Sequence, residues 1–430
     1  MSVQRYLTVM PSAARLTSSL RDIGYEFQSA VADIVDNSLA AGARNIEVDV
    51  HFDGLNSTVT VADDGTGMTG STIYEAFRFG SRRVYPTGDL GRYGLGLKTA
   101  SFSQCRTLTV VSKRSDGKRI FTRQMDLDII EESDQWFMFD PGITPTVTAA
   151  RAKLANGYNT VVLWENLDRV LPADRPEGGW AKRRVSNAGI RTAQHLAMVF
   201  HRFLEGTADS GLVTISVNGE RLHGWNPFAP GEPATVRLPD LKFEIPTGRS
   251  TGIASISRFI LPSRDSFSSP EEWDRLAGPL KWNRQQGIYI YRADRLVQWG
   301  GWAGLRAIDE HTKLARVALN FDTDLDLIFN INVSKMRVQI PLELRQMIEK
   351  PIHEACIAAG NAYRKTEQTR GNLPTHRIEQ SRDRVPFPAA GLALKSAALQ
   401  SGDYDALKRI AKLLADQAPD VLDALGLTEL

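Results

Sequence analysis

Apolar residues in this chain recur at helical spacing in a few stretches and alternate at strand spacing in more. Between 26 and 41, Phe27, Ala30, Val31, Ile34, Val35 and Ser38 fall three and four apart and predict a helix with one buried stripe. Gly42 follows, where a helix-ending glycine belongs. Alternation predicts strands over 45–51 and 58–62, the second ending at Asp63, with a turn at Asp53-Gly54 between them. Further strands are expected at 107–112, 119–125 and 160–164. Helix and strands do not alternate strictly, so the pattern predicts an α+β sandwich rather than a doubly wound sheet.

Pro172 and Pro176 mark a boundary within 168–177. Beyond it the pattern predicts a helix over 191–204 and a hairpin of 213–217 with 220–222 across Asn218-Gly219. Strands are expected at 287–291, 316–321 and 328–333, then a long helix over 342–364. The stretch 368–390, rich in Pro, Arg and polar residues, reads as a linker. A helix over 404–415 places Tyr404, Leu407, Ile410, Ala411 and Leu414 on one stripe, and a short helix follows Pro419. The expected organisation is a first domain over 1–170, a second α/β domain over 171–345 and a helical segment over 346–430.

Length and charge narrow the classes. A chain of 430 residues has room for two or three domains. A net charge of +2 gives no global attraction to nucleic acid or membrane, and Lys182-Arg183-Arg184 reads as solvated surface. No apolar run approaches the roughly 18 residues of a membrane span, and 1–10 lacks the cationic start and apolar run of a signal peptide. Cys105 and Cys356 match no metal-binding spacing and read as reduced thiols of a cytoplasmic protein.

Three motifs carry the chemistry. Asp33 and Asn37 lie four apart, one above the other on the predicted helix, with Glu26 and Ser29 extending the polar row. A carboxamide oxygen suits Mg²⁺, and a carboxylate can orient an attacking water or take its proton. Asp63-Asp64-Gly65-Thr66-Gly67 puts a carboxylate at a strand end, able to accept from the exocyclic amine of adenine, with glycines that let backbone approach a flat ligand. Gly91-Arg92-Tyr93-Gly94-Leu95-Gly96-Leu97-Lys98-Thr99 offers backbone N–H groups and a lysine to phosphate. It is no Walker A loop, because Leu97 separates Gly96 from Lys98. It is no Rossmann turn, because Thr99 stands where a third Gly or Ala belongs and Pro86 and Gly88 interrupt any preceding strand. The stretch 80–92 reads as a loop that closes over a nucleotide. Singly, each motif is matched by a wet helix face, a turn or a surface loop. In this order, within about 70 residues, they predict one nucleotide pocket.

The chain resembles the GHKL ATPases, the superfamily of gyrase B, Hsp90, histidine kinases and MutL. Residues 33–43 resemble the MutL helix that carries a catalytic carboxylate and a magnesium asparagine, which implies those roles for Asp33 and Asn37. Asp63 to Met68 resembles the adenine box, with Asp63, Gly65, Gly67 and Met68 as contacts. Gly91, Gly94, Leu95, Gly96, Leu97, Lys98 and Thr99 resemble the lid of MORC-like members, and Thr160 falls where the family places a threonine near the adenine. Residues 287–297 are similar to the second domain of MORC-like proteins, and 330–338 resemble the loop holding the transducer lysine of MutL-type members, here Lys335. The resemblance covers about residues 20–345 and implies a Bergerat-type ATP-binding sandwich followed by a transducer-like domain. It further implies ATP and Mg²⁺ as ligands, hydrolysis with Asp33 and Lys335 as catalytic groups, a homodimer worked by the ATP cycle, a DNA or protein partner, and no membrane. A histidine kinase is disfavoured, since no phosphoacceptor histidine precedes Glu26.

One departure stands out. The family's base is usually glutamate, and Asp33 is one methylene shorter, about 1.5 Å; misplacement of about 1 Å can cost on the order of 100-fold in rate. The alternative to an ATPase is therefore a nucleotide-gated binding or sensor module with little hydrolysis. Asp36 points roughly 100° away from Asn37 and is expected to make a supporting contact instead.

Overall fold

The computed structural model describes residues 11–22, 24–80, 96–247, 251–331, 338–372, 394–395, 397–398, 403–425 and 427. Residues 1–366 form one compact unit and 367–430 a second.

The first unit opens with α1 (Ala13–Arg21) and α2 (Phe27–Ala40), followed by the hairpin β1 (Asn45–His51) and β2 (Thr58–Asp63). Two helices, α3 (Gly70–Phe77) and α4 (Gly96–Phe102), precede β3 (Thr107–Lys113) and β4 (Ile120–Asp126). Then come α5 (Leu127–Ser133), α6 (Pro145–Ala155) and β5 (Thr160–Glu165). A long α7 (Gly179–Val199) and a short α8 (His201–Leu204) lead to β6 (Thr214–Val217) and β7 (Glu220–Arg221). Among the described residues these seven strands make one sheet, ordered β4-β3-β5-β2-β1-β6-β7.

Alternation sorts the two faces of that sheet. Ile46, Val48, Val50, Val59 and Val61 point to one side and join Val31, Ile34 and Val35 of α2 and Val185 and Leu196 of α7 in the main core. Ala62, Val111 and Val161 point the other way and pack on Ala150 and Leu154 of α6. On that second face Glu47 and Asp49 are held by Lys153. The sheet draws on both sides of position 170. Asn218 and Gly219 take positive φ of 50° and 81°, as a two-residue hairpin turn requires, and β6 pairs in parallel with β1.

The second sheet begins with a long hairpin, β8 (Val236–Pro246) and β9 (Thr251–Ile260). After α9 (Pro270–Leu276) and α10 (Lys281–Gln285) come β10 (Gly287–Arg292), β11 (Arg295–Gln298) and β12 (Ala315–Phe321). The order is β11-β10-β12-β9-β8. One face packs on α11 (Leu342–Asn372) through Leu344, Ile348, Ile352 and Ala359. On the other face Tyr289, Tyr291, Leu296 and Ala318 meet Met198 of α7, so α7 touches both sheets.

Three expectations change. Residues 328–331 form a turn after β12, not a strand, because Ile328 and Phe329 N–H groups both bond to the Leu325 carbonyl; 332 and 333 lie outside the described residues. The helix expected at 191–204 begins twelve residues earlier, at Gly179. The expected linker at 368–390 starts inside α11, and its residues from 373 on lie outside the described residues.

In the second unit α12 (Tyr404–Gln417) and α13 (Pro419–Ala424) bury Ala411, Leu422 and Leu427 against one another, while Leu407 is also buried and Ile410 is turned outward.

Candidate functional site

The first two motifs and the start of α4 converge at one end of the first sheet. On α2, Asp33 is only 1% exposed while Asn37, one turn on, is exposed. The polar row thus runs from a covered carboxylate to an open carboxamide. Tyr25, just before α2, donates its hydroxyl to Asp33 Oδ2 at 2.8 Å. Burial first, and then the Asp33 charge, push the Tyr25 phenol far above its ordinary value, so it remains a donor. Thr99 of α4 also hydrogen-bonds this phenol. A side chain at Gly96 would lie 3.9 Å from Asp33 Oδ2, so α4 starts directly over the carboxylate.

Asp63 ends β2, buried, opposite Thr160 in the β2–β5 register. Its Oδ2 accepts from the Ser38 hydroxyl and its Oδ1 from the Gly65 N–H, both at 3.0 Å. Burial pushes its carboxyl up to about 6, against the pull of those two donors. The glycines that follow are required by the protein itself rather than by a ligand's approach. A Cβ at Gly65 would stand 2.9 Å from the Ala41 Cβ and carbonyl oxygen. One at Gly67, at φ +66°, would fall 1.8 Å from the Lys113 carbonyl oxygen. These contacts press the loop between the end of α2 and the end of β3.

Ser112 fixes the next residue. Its hydroxyl oxygen accepts from the Met68 N–H at 2.8 Å, and it also meets the Asn159 carbonyl and the Thr160 hydroxyl, both at 2.9 Å. Met68 and Thr160, both expected near an adenine, are therefore joined by a residue that no motif singles out.

The third motif is partly described. Gly91, Gly94 and Leu95, with the expected loop from 81 on, lie outside the described residues, as does Lys335. Leu97 packs against the main core. Lys98 lies in the first turn of α4. It is buried, and its Nζ donates to the Ala76 and Arg78 carbonyls at 2.8 Å each, at the end of α3. Burial lowers its ammonium to about 8.

A residue not assigned a site role by the sequence completes the arrangement. Arg295, the first residue of β11, reaches α2 from the second sheet and is 3% exposed. Its Nε donates to Asp36 Oδ1 at 2.8 Å, and its Nη2 lies 3.8 Å from Asp33 Oδ1. Nothing local could have revealed this pair, whose members stand 259 residues apart. Beside Arg295 lies a cavity of about 160 Å³ lined also by Ser29, His195 and Trp299. Burial holds the His195 imidazole down at about 3, so it is neutral.

Comparison with known proteins agrees with this geometry. Residues 25–153 match the family model for histidine kinase-, DNA gyrase B-, and HSP90-like ATPases. Over 89 residues, 21% of this chain and 10% of the relative, the chain is 36% identical to ATPase morc-1 of Caenorhabditis elegans. Over 384 residues, 84% of this chain, it is 23% identical to the DNA mismatch repair protein MutL of Caulobacter vibrioides. The aligned part covers 53% of that MutL, so the chain spans about half the length of this relative and a tenth of the worm protein. Over residues 25–153 the chain is thus similar to the ATP-binding domain of the GHKL ATPases.

Proposed function

We propose that this chain is an Mg²⁺-dependent ATPase whose cycle rearranges a dimer acting on DNA or on a protein partner. The observation that carries the proposal is that α2 joins the three motifs: Ser38 bonds to Asp63, α4 starts over Asp33 at Gly96, and Asn37 lies exposed between Asp33 and Ser38. The donor set fits an adenine nucleotide. Asp63 is a buried acceptor matched to the exocyclic amine of adenine, where guanine presents an oxygen. Asn37 offers an exposed amide oxygen, enough for a hard cation that keeps most of its waters. Bound Mg²⁺ would supply charge neutralisation for the phosphates. Asp33, steadied by Tyr25, orients the attacking water. Lys335 is assigned to the γ-phosphate by its sequence match alone. The partner class is supported by the aligned relative's being a DNA mismatch repair protein.

The test is Mg–ATP and Mg–GTP binding by calorimetry together with phosphate release. Asn37→Ala is expected to lose Mg–ATP binding, and Asp33→Asn to bind but not hydrolyse. Equal affinity for ATP and GTP would sink the adenine assignment. A second reading, an ATP-gated binding module with little hydrolysis, is supported by the short Asp33 side chain held under Tyr25. Wild-type turnover no faster than that of Asp33→Asn would establish it over the first. Mass measurement with and without a non-hydrolysable analogue tests the dimer.

A further inference from the structure

We propose that Arg295 is a positioning residue: it ties Asp33 to the second sheet, so that the carboxylate holds its working place only while β11 is docked on α2. This rests on the reading of Asp33 as the group that orients water.

Asp33 and Asp36 sit three apart on α2, each 1% exposed, and so share one side of the helix. Two buried carboxylates at that spacing repel each other, and burying each costs several kcal/mol unless it is paired. Arg295 meets both, with one hydrogen bond to Asp36 and its second nitrogen 3.8 Å from Asp33. Guanidinium suits this task, since its planar fork addresses two acceptors at once. Groups facing the trio include the Tyr25 hydroxyl on Asp33, the neutral His195, the Leu296 carbonyl on Arg295 Nη1, and the Phe200 ring, 5.8 Å from the guanidinium carbon.

The hairpin that presents Arg295 is itself anchored to the first domain. Ala293 and Asp294 turn between β10 and β11 with positive φ of 45° and 65°. Asp294 accepts from Arg202 Nη1 and from the Asp209 N–H, both at 2.9 Å. Tyr291 meets His201 at 2.8 Å. Three consecutive features of one hairpin thus grip α8 and α2, and the last of them ends at the carboxylate.

The experiment compares wild type, Asp33→Asn, Arg295→Met, Arg295→Lys and Asp36→Asn. It measures the Kd for Mg–ATP, kcat, and amide hydrogen exchange with a non-hydrolysable analogue. Arg295→Met is expected to bind Mg–ATP within about twofold of wild type while kcat falls at least about tenfold, with part of the rate restored in Arg295→Lys. In wild type the analogue is expected to slow exchange in both α2 and β11, and in Arg295→Met in α2 alone. Should Arg295→Met fail to fold, Arg295→Lys and Asp36→Asn, which keep a donor and an acceptor respectively, carry the same comparison. An unchanged kcat in a folded variant overturns the proposal, as does a parallel loss of affinity and kcat in Met and Lys variants alike. Wild-type turnover equal to that of Asp33→Asn would sink the ATPase reading instead. The exchange measurement, which needs no hydrolysis, then decides on Arg295 by whether β11 still responds to nucleotide in its absence.

Discussion

The Tyr25 hydroxyl donates to Asp33 Oδ2 at 2.8 Å, and both side chains are buried. A charged acceptor makes this a stronger bond than a neutral pair would, worth about 1.5–3 kcal/mol. Tyr25→Phe removes the donor and weakens the hold on the carboxylate's orientation. The expected outcome is a lower unfolding free energy by about that amount and a kcat reduced on the order of tenfold, with Mg–ATP affinity unchanged. Chemical denaturation and steady-state phosphate release check the two halves separately.

Replacing Asp33 by the family's usual glutamate is not expected to raise turnover. Asp33 is 1% exposed, under Tyr25 and close to Gly96, so an added methylene has no empty space to enter. Asp33→Glu is expected to destabilise the fold by about 1–3 kcal/mol through overpacking, and to hydrolyse ATP no faster than wild type. A melting curve beside a turnover measurement reads both, and a faster, equally stable variant would contradict the packing argument.

Asp63 sets a pH dependence in two opposite directions. Its carboxyl is held at about 6 in the folded protein against an ordinary 3.8. It binds its proton more tightly folded than unfolded, so its contribution to stability is full below 3.8 and is lost as pH rises through about 6. With Asp63 in its proposed place on the adenine amine, nucleotide binding needs the ionised form, because a protonated carboxyl gives up acceptor capacity. Affinity for ATP is therefore expected to fall about tenfold per pH unit below about 6. Calorimetric titrations between pH 5 and 8 would show it, and Asp63→Asn should flatten the profile while weakening binding throughout.

Gly67→Ala tests the loop that carries the adenine box. The new Cβ would stand 1.8 Å from a backbone oxygen of β3, at a φ of +66° that L side chains avoid. Backbone must move, and a loss of at least about 3 kcal/mol is expected in denaturant unfolding. Gly42→Ala is the control, since it has positive φ but nothing within 4 Å of the added carbon; it should cost about 1 kcal/mol.

The sequence made α2 and β1 legible because burial imposes a period on them, and β3 and β5, covered on both faces, legible as short apolar runs. It hid β8, whose residues are exposed on both faces over most of its length and therefore do not alternate. It hid α6, whose buried Val147, Ala150 and Leu154 are diluted by small and polar neighbours. Residues 328–331 misled for the opposite reason, since Phe329 and Ile331 are buried from a turn, and burial alone does not choose strand over turn. In the site, Asp33, Asn37 and Asp63 were legible because each belongs to a short local motif. Ser112 and Arg295 were not. Their partners come from elements brought together only by the fold, and a single chain read in order carries no signal of such pairings.

The pairing of β1 has a consequence for synthesis. On one side β1 takes β2, the next strand made; on the other it takes β6, matching Asn45 with Thr214. As the chain leaves the ribosome, the hairpin that bears Asp63 forms early, while the outer edge of β1 stays open until residue 217 emerges. Such distant pairings are the slow events of folding, and an open edge invites other chains meanwhile. The hairpin that carries Asp63 is thus built from neighbours in time as well as in sequence, and the support of β6 and the second sheet arrives last.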